Sequence, residues 1–279
     1  MDEFIEENRA HWEELAALHP DTDFYDVEAF LGGESTLDPV EPREVGDVEG
    51  ASLLHLQCHF GLDTLSWARR GARVTGVDIS ETAVGTAREL AAETGLADRA
   101  RFVRSDVYES PDAPALADER FDVVYTSFGV LFWLSDLGEW ADVVARFLRP
   151  GGTFYLAEHH PFATAFDAES AGGELRIGNP YFRERRSYDA TETGSYAGVA
   201  PEELEHGPVH GWSHSLGEVV TAVSDAGLHI EFLHEYPWST FEAVDAMERR
   251  EHGRYVLPDA ERDLPFVFTL RATRPDRDR

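Results

Sequence analysis

Cysteine is almost missing from this chain: Cys58 is the only one in 279 residues. No intrachain disulfide can form, so a reducing, cytoplasmic location is expected. Lysine is missing altogether, and all 24 basic residues are arginine. No apolar run approaches the roughly 20 residues that a membrane-spanning helix needs. The first ten residues, MDEFIEENRA, are acidic and carry no basic-then-apolar pattern, so no targeting segment is expected. Internal repeats and domain linkers are also lacking.

Acidic residues are abundant instead. Asp and Glu number 54, and the formal net charge is −30. A chain so charged repels itself in dilute buffer. In molar salt the Debye length falls to roughly 3 Å and the repulsion largely disappears. The composition therefore reads as adaptation to a salt-rich cytoplasm, the alternative being a generally acidic protein. A negative surface also disfavours phosphate backbones, so nucleic acid is not expected as a partner, although molar salt weakens that argument. The length suffices for one large α/β domain or two small ones.

Along the chain, residues 3–19 carry the apolar spacing of an amphipathic helix, which Pro20 stops. Residues 22–50 read as a loop or short-helix lead-in. Strands are expected at 51–56, 73–78, 100–104, 121–126 and 153–158, alternating with helices at 63–70, 80–94 and 136–148. Pro150-Gly151-Gly152 reads as a turn. Such alternation implies a parallel sheet with right-handed crossovers. Residues 159–214 show no period and are too long for a simple connection, so they read as a substrate-facing insert. Ser215 with Glu218 forms a capping box opening a helix to about Ala226. Two last strands, at 228–236 and 266–272, flank a helical piece at 240–252, and a polar tail, 273–279, is expected to fray. The chain thus divides into a terminal helix and lid segment (1–50), a core (51–158), the insert (159–214) and a closing unit (215–279) that completes the same sheet.

The densest information lies in LLHLQCHFGLDTLSWARRGARVTGVDIS, residues 53–80. A strand ends in a turn under a helix N-terminus, and a second strand ends on Asp78. Backbone N–H groups and a carboxylate so placed suit a nucleoside-containing cofactor, the carboxylate accepting from both ribose hydroxyls. The spacing does not meet the G-x-G-x-x-G fingerprint of a nicotinamide dehydrogenase.

Five segments in order, HLQCHFGLDT, GVDIS, SDVYE, FDVVYTSFGVLFW and LRPGGTFYLAE, resemble the class I S-adenosylmethionine (SAM)-dependent methyltransferases over residues 51–158, and HLQCHFG resembles a subgroup of them. The resemblance implies an α/β, doubly wound, Rossmann-like fold: a seven-stranded, mostly parallel sheet with an antiparallel last strand and a lid-like insert. It implies SAM as cofactor and a small-molecule methyl acceptor. By the same resemblance the turn Gln57, Cys58, His59 and Gly61 faces the methionine part, Asp78 holds the ribose, and Ile79 packs on adenine. Asp106, with Val107 beside it, accepts from the adenine amino group, and Ser127 with Phe128 lines the floor.

The loop departs from the family pattern. His55 stands at the usual acidic position, and Gln57 and His59 stand at the first two glycine positions. Those two residues need another local geometry or use their side chains on the ligand. Methyl transfer from a sulfonium needs alignment and exclusion of water more than a catalytic triad, and no triad is found. His159, His160 and His214 are the catalytic candidates, with Glu158, Tyr181 and Trp212 near them. Phe24, Tyr25, Phe30, Phe132 and Trp133 are candidate walls. His206, His210 and His214 have a spacing that a helix would align as metal ligands, but Gly207, Pro208 and Gly211 oppose that helix, so no metal is expected. Cys58 is not expected to act as a nucleophile. Two other readings stand beside the enzyme: a non-catalytic SAM-binding sensor or accessory subunit, and an RNA or protein methyltransferase. The acceptor, the atom methylated and the oligomeric state are not encoded in these motifs.

Overall fold

The computed structural model describes residues 3–166, 175–182, 184–245, 247–258 and 264–276. In chain order its elements are α1 (Glu3–Leu18), α2 (Val27–Leu31), α3 (Val40–Val45), β1 (Ser52–Leu56), α4 (Leu62–Arg69), β2 (Arg73–Asp78), α5 (Glu81–Glu93), β3 (Ala100–Arg104), β4 (Phe121–Ser127), α6 (Leu137–Phe147) and β5 (Leu148–His159). Then follow α7 (Pro161–Thr164), β6 (Glu184–Asp189), α8 (Ala190–Thr193), β7 (Pro208–Ser213), α9 (Leu216–Asp225), β8 (His229–Tyr236), β9 (Glu248–Arg249), β10 (Tyr255–Val256) and β11 (Val267–Thr273). The main sheet has seven strands in the order β3-β2-β1-β4-β5-β11-β8. β1 to β5 are parallel, and β11 runs antiparallel to both β5 and β8. The order reverses between β1 and β4, and sheets of this kind bind ligands at that switch point, outside the carboxyl ends of the strands.

Local chemistry sets most of the boundaries. Ser80 caps α5 by accepting from the Ala83 N–H, and Asp136 caps α6 by accepting from Gly138 and Glu139. The Ser215–Glu218 capping box opens α9. Leu56, Val124, Phe154, Leu156 and Phe268 meet Trp140, Val144 and Phe147 of α6 in the main core. On the other face, Leu53, Val123, Tyr125 and Tyr155 pack on Trp67 and Ala68 of α4. The expected turn at Pro150-Gly151-Gly152 lies inside β5: the β4–β5 register jumps from Phe121↔Leu148 to Val123↔Thr153, so these residues bulge from the strand without ending it.

The helical piece expected at 240–252 is not an α-helix among the described residues: bends lead to β9, and a 3-10 turn at Glu251–Gly253 joins it to β10 in an antiparallel hairpin. Trp238 is buried with Val40 and Val267, while Val244 and Met247 are buried in a different cluster with Phe266. Arg254 forks onto Asp38 through Nε and Nη2, at 2.8 and 2.6 Å. Those long-range anchors bend the segment and override its helical pattern. The expected fraying of the tail falls partly on residues 277–279, outside the described residues, as do 167–174 and 183 of the insert.

The insert and the N-terminal helix form one cover. β6 and β7 pair as an antiparallel ribbon. Asn8 of α1 donates to the His210 carbonyl at 2.7 Å and accepts from the His210 N–H at 2.9 Å. Glu14 accepts from the Glu205 and His206 N–H groups. Leu15 packs among Ala190, Val199, Leu204 and Val209.

Candidate active site

The loop after β1 carries the chain's departures from glycine, and its conformation is the glycine one. Gln57, His59 and Gly61 have φ of 58°, 49° and 82°. Of the two alternatives expected for Gln57 and His59, another local geometry is not adopted: both sit in the left-handed region. Holding a non-glycine residue there costs of order 1 kcal/mol or more. Steric room explains which glycine remains. A Cβ on Gly61 would lie 2.7 Å from the Phe102 ring and 2.9 Å from the Ala87 Cβ. Cys58 Sγ fills the space above Gly76, where a Cβ would come within 2.7 Å of it. Burial pushes the Cys58 thiol well up, so it stays protonated.

Asp78 ends β2 beside this loop. Its Oδ2 accepts from the His59 N–H at 2.7 Å and its Oδ1 from the Ser80 N–H at 3.0 Å. Burial is the main reason its pKa rises to about 6, with the Glu13 carboxylate adding to the rise. Ile79, the next residue, is half-buried and offers its carbonyl to Arg104. Asp106 follows β3 and accepts from the Tyr108 N–H at 2.8 Å; burial raises its pKa too. Val107 packs into the main core. A cavity of about 450 Å³ is lined by Ser105, Tyr108, Glu109, Asp112, Ala113 and Glu139, residues flanking Asp106 in the chain and on α6. The two strand-tip acids thus stand on neighbouring parallel strands.

Below the loop lies a polar cluster. Ser127 ends β4, donates to Asp63 Oδ2 at 3.0 Å and lies 3.4 Å from His55 Nε2. His55 Nδ1 pairs with Thr64 Oγ1 at 2.8 Å, and burial lowers its pKa to about 3, so it is neutral. Glu41 of α3 is buried against the Tyr125 hydroxyl, and burial raises its pKa well above the usual range. Glu158 accepts from the Gly129, Val130 and Leu131 N–H groups at 2.6–2.9 Å, which fixes the segment after β4.

α1 contributes residues that the sequence did not single out. Glu13 accepts from Ser80 Oγ and from the Glu81 and Thr82 N–H groups at 2.7–2.9 Å, closing on the start of α5. Trp12 meets the His59 ring at 5.2 Å and the Trp133 ring at 5.0 Å. His11 stacks on Trp133 at 6.0 Å. His19, just past α1, pairs through Nδ1 with His59 Nε2 at 3.0 Å and through Nε2 with Ser195 Oγ at 2.8 Å. Tyr25 and Tyr196 join by their hydroxyls over the same place. Glu13 and His19 carry no local signal of a role, because their partners lie dozens of residues away.

The catalytic candidates separate. His159 stands at the tip of β5, with its ring 5.6 Å from Phe128 and 4.9 Å from Phe241, and Nε2 3.0 Å from Thr240 Oγ1. His160 is used structurally: its Nδ1 accepts from the Phe162 N–H as the cap of α7, and its Nε2 lies 2.9 Å from Glu235. His214 is buried and donates from Nε2 to the Leu134 carbonyl at 2.7 Å. Neither is brought to the loop. His210 lies on strand β7, so helical alignment of His206, His210 and His214 does not occur. Tyr181 reaches the Leu216 N–H and Trp212 is buried on β7. Among the candidate walls, Tyr25 and Trp133 reach the site. Phe30 lies in the core beneath Arg69, and Phe132 packs over Gly211.

Burial holds several of these imidazoles neutral. His11 falls to about 4 and His19 to about 3, and His59 and His159 are lowered as well. The unfolded chain takes up protons on the same groups below about pH 6.5. Their contribution to stability is therefore complete above that pH and is lost as the pH falls toward 4–3. Asp78, Asp106, Asp63 and Glu41 act in the opposite direction, since raised carboxyls favour the fold as the pH falls. The lowered histidines, with His55 and His160 included, outnumber them six to four. The melting temperature is expected to drop between pH 7 and pH 5 in calorimetry at fixed molar KCl, and a rise over that interval would contradict the assignment.

Residues 54–156 match the family described as "Methyltransferase domain". A ubiquinone biosynthesis O-methyltransferase of Sinorhizobium medicae is 37% identical over 119 residues, 42% of this chain and 44% of that protein. The chain spans about half the length of the curated relatives it matches. A SAM-dependent methyltransferase structure from Mesorhizobium loti superposes with a TM-score of 0.61 at 22% identity, over 88% of this chain and 100% of the other. The geranyl diphosphate C-methyltransferase of Streptomyces coelicolor gives 0.59 at 15% identity, over 98% of both chains. Residues 54–156 thus match a methyltransferase domain, in a chain that has the class I SAM-dependent methyltransferase fold.

Proposed function

We propose that this protein is a SAM-dependent methyltransferase acting on a small-molecule acceptor in a salt-rich cytoplasm. The observation that carries the reading is the pair of strand-tip acids, Asp78 and Asp106, flanking a loop whose φ angles are those of a glycine loop although two of its residues are not glycine. The residues present fit an adenosyl group: Asp78 would take the ribose hydroxyls, Ile79 and Val107 would border the base, and Asp106 would accept from its amino group. Bound there, SAM supplies a methyl already activated on sulfur. The chain's own work is then to align the acceptor and exclude water. Trp12, Trp133, Tyr25 and Tyr196 form an apolar cover over the loop. His159, kept neutral by burial at the tip of β5, would accept a proton from an acceptor that needs deprotonation.

The test is formation of S-adenosylhomocysteine from SAM with a metabolite panel in molar KCl. Hydroxyl acceptors come first, since the similar proteins are named O-methyltransferases. Turnover with at least one small acceptor is expected. Tight binding of S-adenosylhomocysteine without turnover across the panel would favour a sensor or accessory subunit, and turnover only with RNA or protein would overturn the acceptor class.

A further inference from the structure

The two non-glycine residues of the loop share a second property. Gln57 Oε1 and His59 Nδ1 are buried and have no hydrogen-bond partner among the described residues, and the same holds for His11 Nδ1. Buried polar atoms left unpaired are rare and call for a reason. The three residues border one region. Gln57 donates from Nε2 to the Val130 carbonyl at 3.2 Å, and the Trp133 N–H donates to the same carbonyl. Trp133 contacts His11 and Trp12, and Trp12 contacts His59.

We propose that Gln57 is a recognition residue for the ammonium group at the amino-acid end of the cofactor, with Trp12 and Trp133 beside it; this rests on the function proposed above. One N–H of the amide is committed to the Val130 carbonyl, which fixes the side chain and leaves Oε1 as an acceptor awaiting a donor. An amide oxygen rejects a carboxylate and welcomes N–H donors. Indole faces attract cations. The neighbouring imidazoles of His11, His19 and His59 are neutral and do not repel one. Glycine would hold φ of 58° at Gln57 without strain, so the side chain that is there contributes something the free protein does not use.

The test compares two thioethers by calorimetry in molar KCl: S-adenosylhomocysteine, and 5′-methylthioadenosine, which keeps the nucleoside and sulfur but lacks the amino-acid end. Gln57→Gly is expected to weaken S-adenosylhomocysteine binding by about tenfold or more and to leave 5′-methylthioadenosine within about twofold. Its melting temperature should be unchanged or higher, since glycine suits the left-handed backbone. Equal losses for both ligands, or no loss for S-adenosylhomocysteine, would overturn the proposal. A wild-type protein that binds neither thioether would instead overturn the function on which it rests.

Discussion

Asp78→Ala is expected to weaken S-adenosylhomocysteine binding by more than about tenfold, because it leaves two ribose hydroxyls without their acceptor in a buried site. The side chain also organises its surroundings. One oxygen holds the His59 N–H and the other the Ser80 N–H, tying a strained loop to the start of α5. Its removal therefore costs both direct bonds and the geometry of the loop. Asp106→Ala should do less damage, since the base can still stack. The pKa of about 6 adds a second signature. Protonation converts an acceptor into a partial donor, so affinity in the native protein should fall as the pH drops below about 6, and Asp78→Asn should flatten that dependence. Calorimetry at pH 5 and pH 8 reads both effects. Unchanged affinity in Asp78→Ala would remove the cofactor site from this place in the fold.

Raising KCl from about 0.1 M to molar concentration is expected to raise the melting temperature by about 10 °C or more. The Debye length contracts from about 10 Å to about 3 Å over that change. With a net charge of −30, most of the charge pairs on this surface repel. The ion pairs that do form are mainly half-exposed ones, such as Arg149–Asp122 and Arg88–Glu81, and are worth little individually. At roughly 2–4 °C per kcal/mol for a chain of this size, the shift corresponds to a few kcal/mol of relieved repulsion. Scanning calorimetry across the series checks it. A flat melting temperature would mean that the acidic surface is not tuned to salt.

The order of strands β1 to β5, their helices and the two tip acids were legible before any coordinates, and the reason is locality. A strand shows its burial within five or six residues, and Ser80, Asp136 and Ser215 cap their helices through N–H groups two or three residues on. Asp78 and Asp106 follow from where those strands end. The histidine candidates were less legible. A histidine at a strand end has the same local pattern whether it pairs across the chain, as His159 does with Thr240, or caps a helix, as His160 does. Glu13 and His19 were invisible, because an acidic helix and a histidine before a proline show nothing until their partners at 59, 80–82 and 195 arrive.

Sequence alone thus determined the alternating α/β core, the acids at its strand tips and the net charge of −30, since each is written in short-range pattern or composition. Tertiary structure alone decided that residues 248–256 form a hairpin, that α1 and the insert close together over the loop, and that Gln57 and His59 keep a glycine's backbone while presenting side-chain atoms unpaired among the described residues. Those outcomes depend on contacts between residues far apart in the chain, where burial, steric room and hydrogen-bond accounting outweigh local preference.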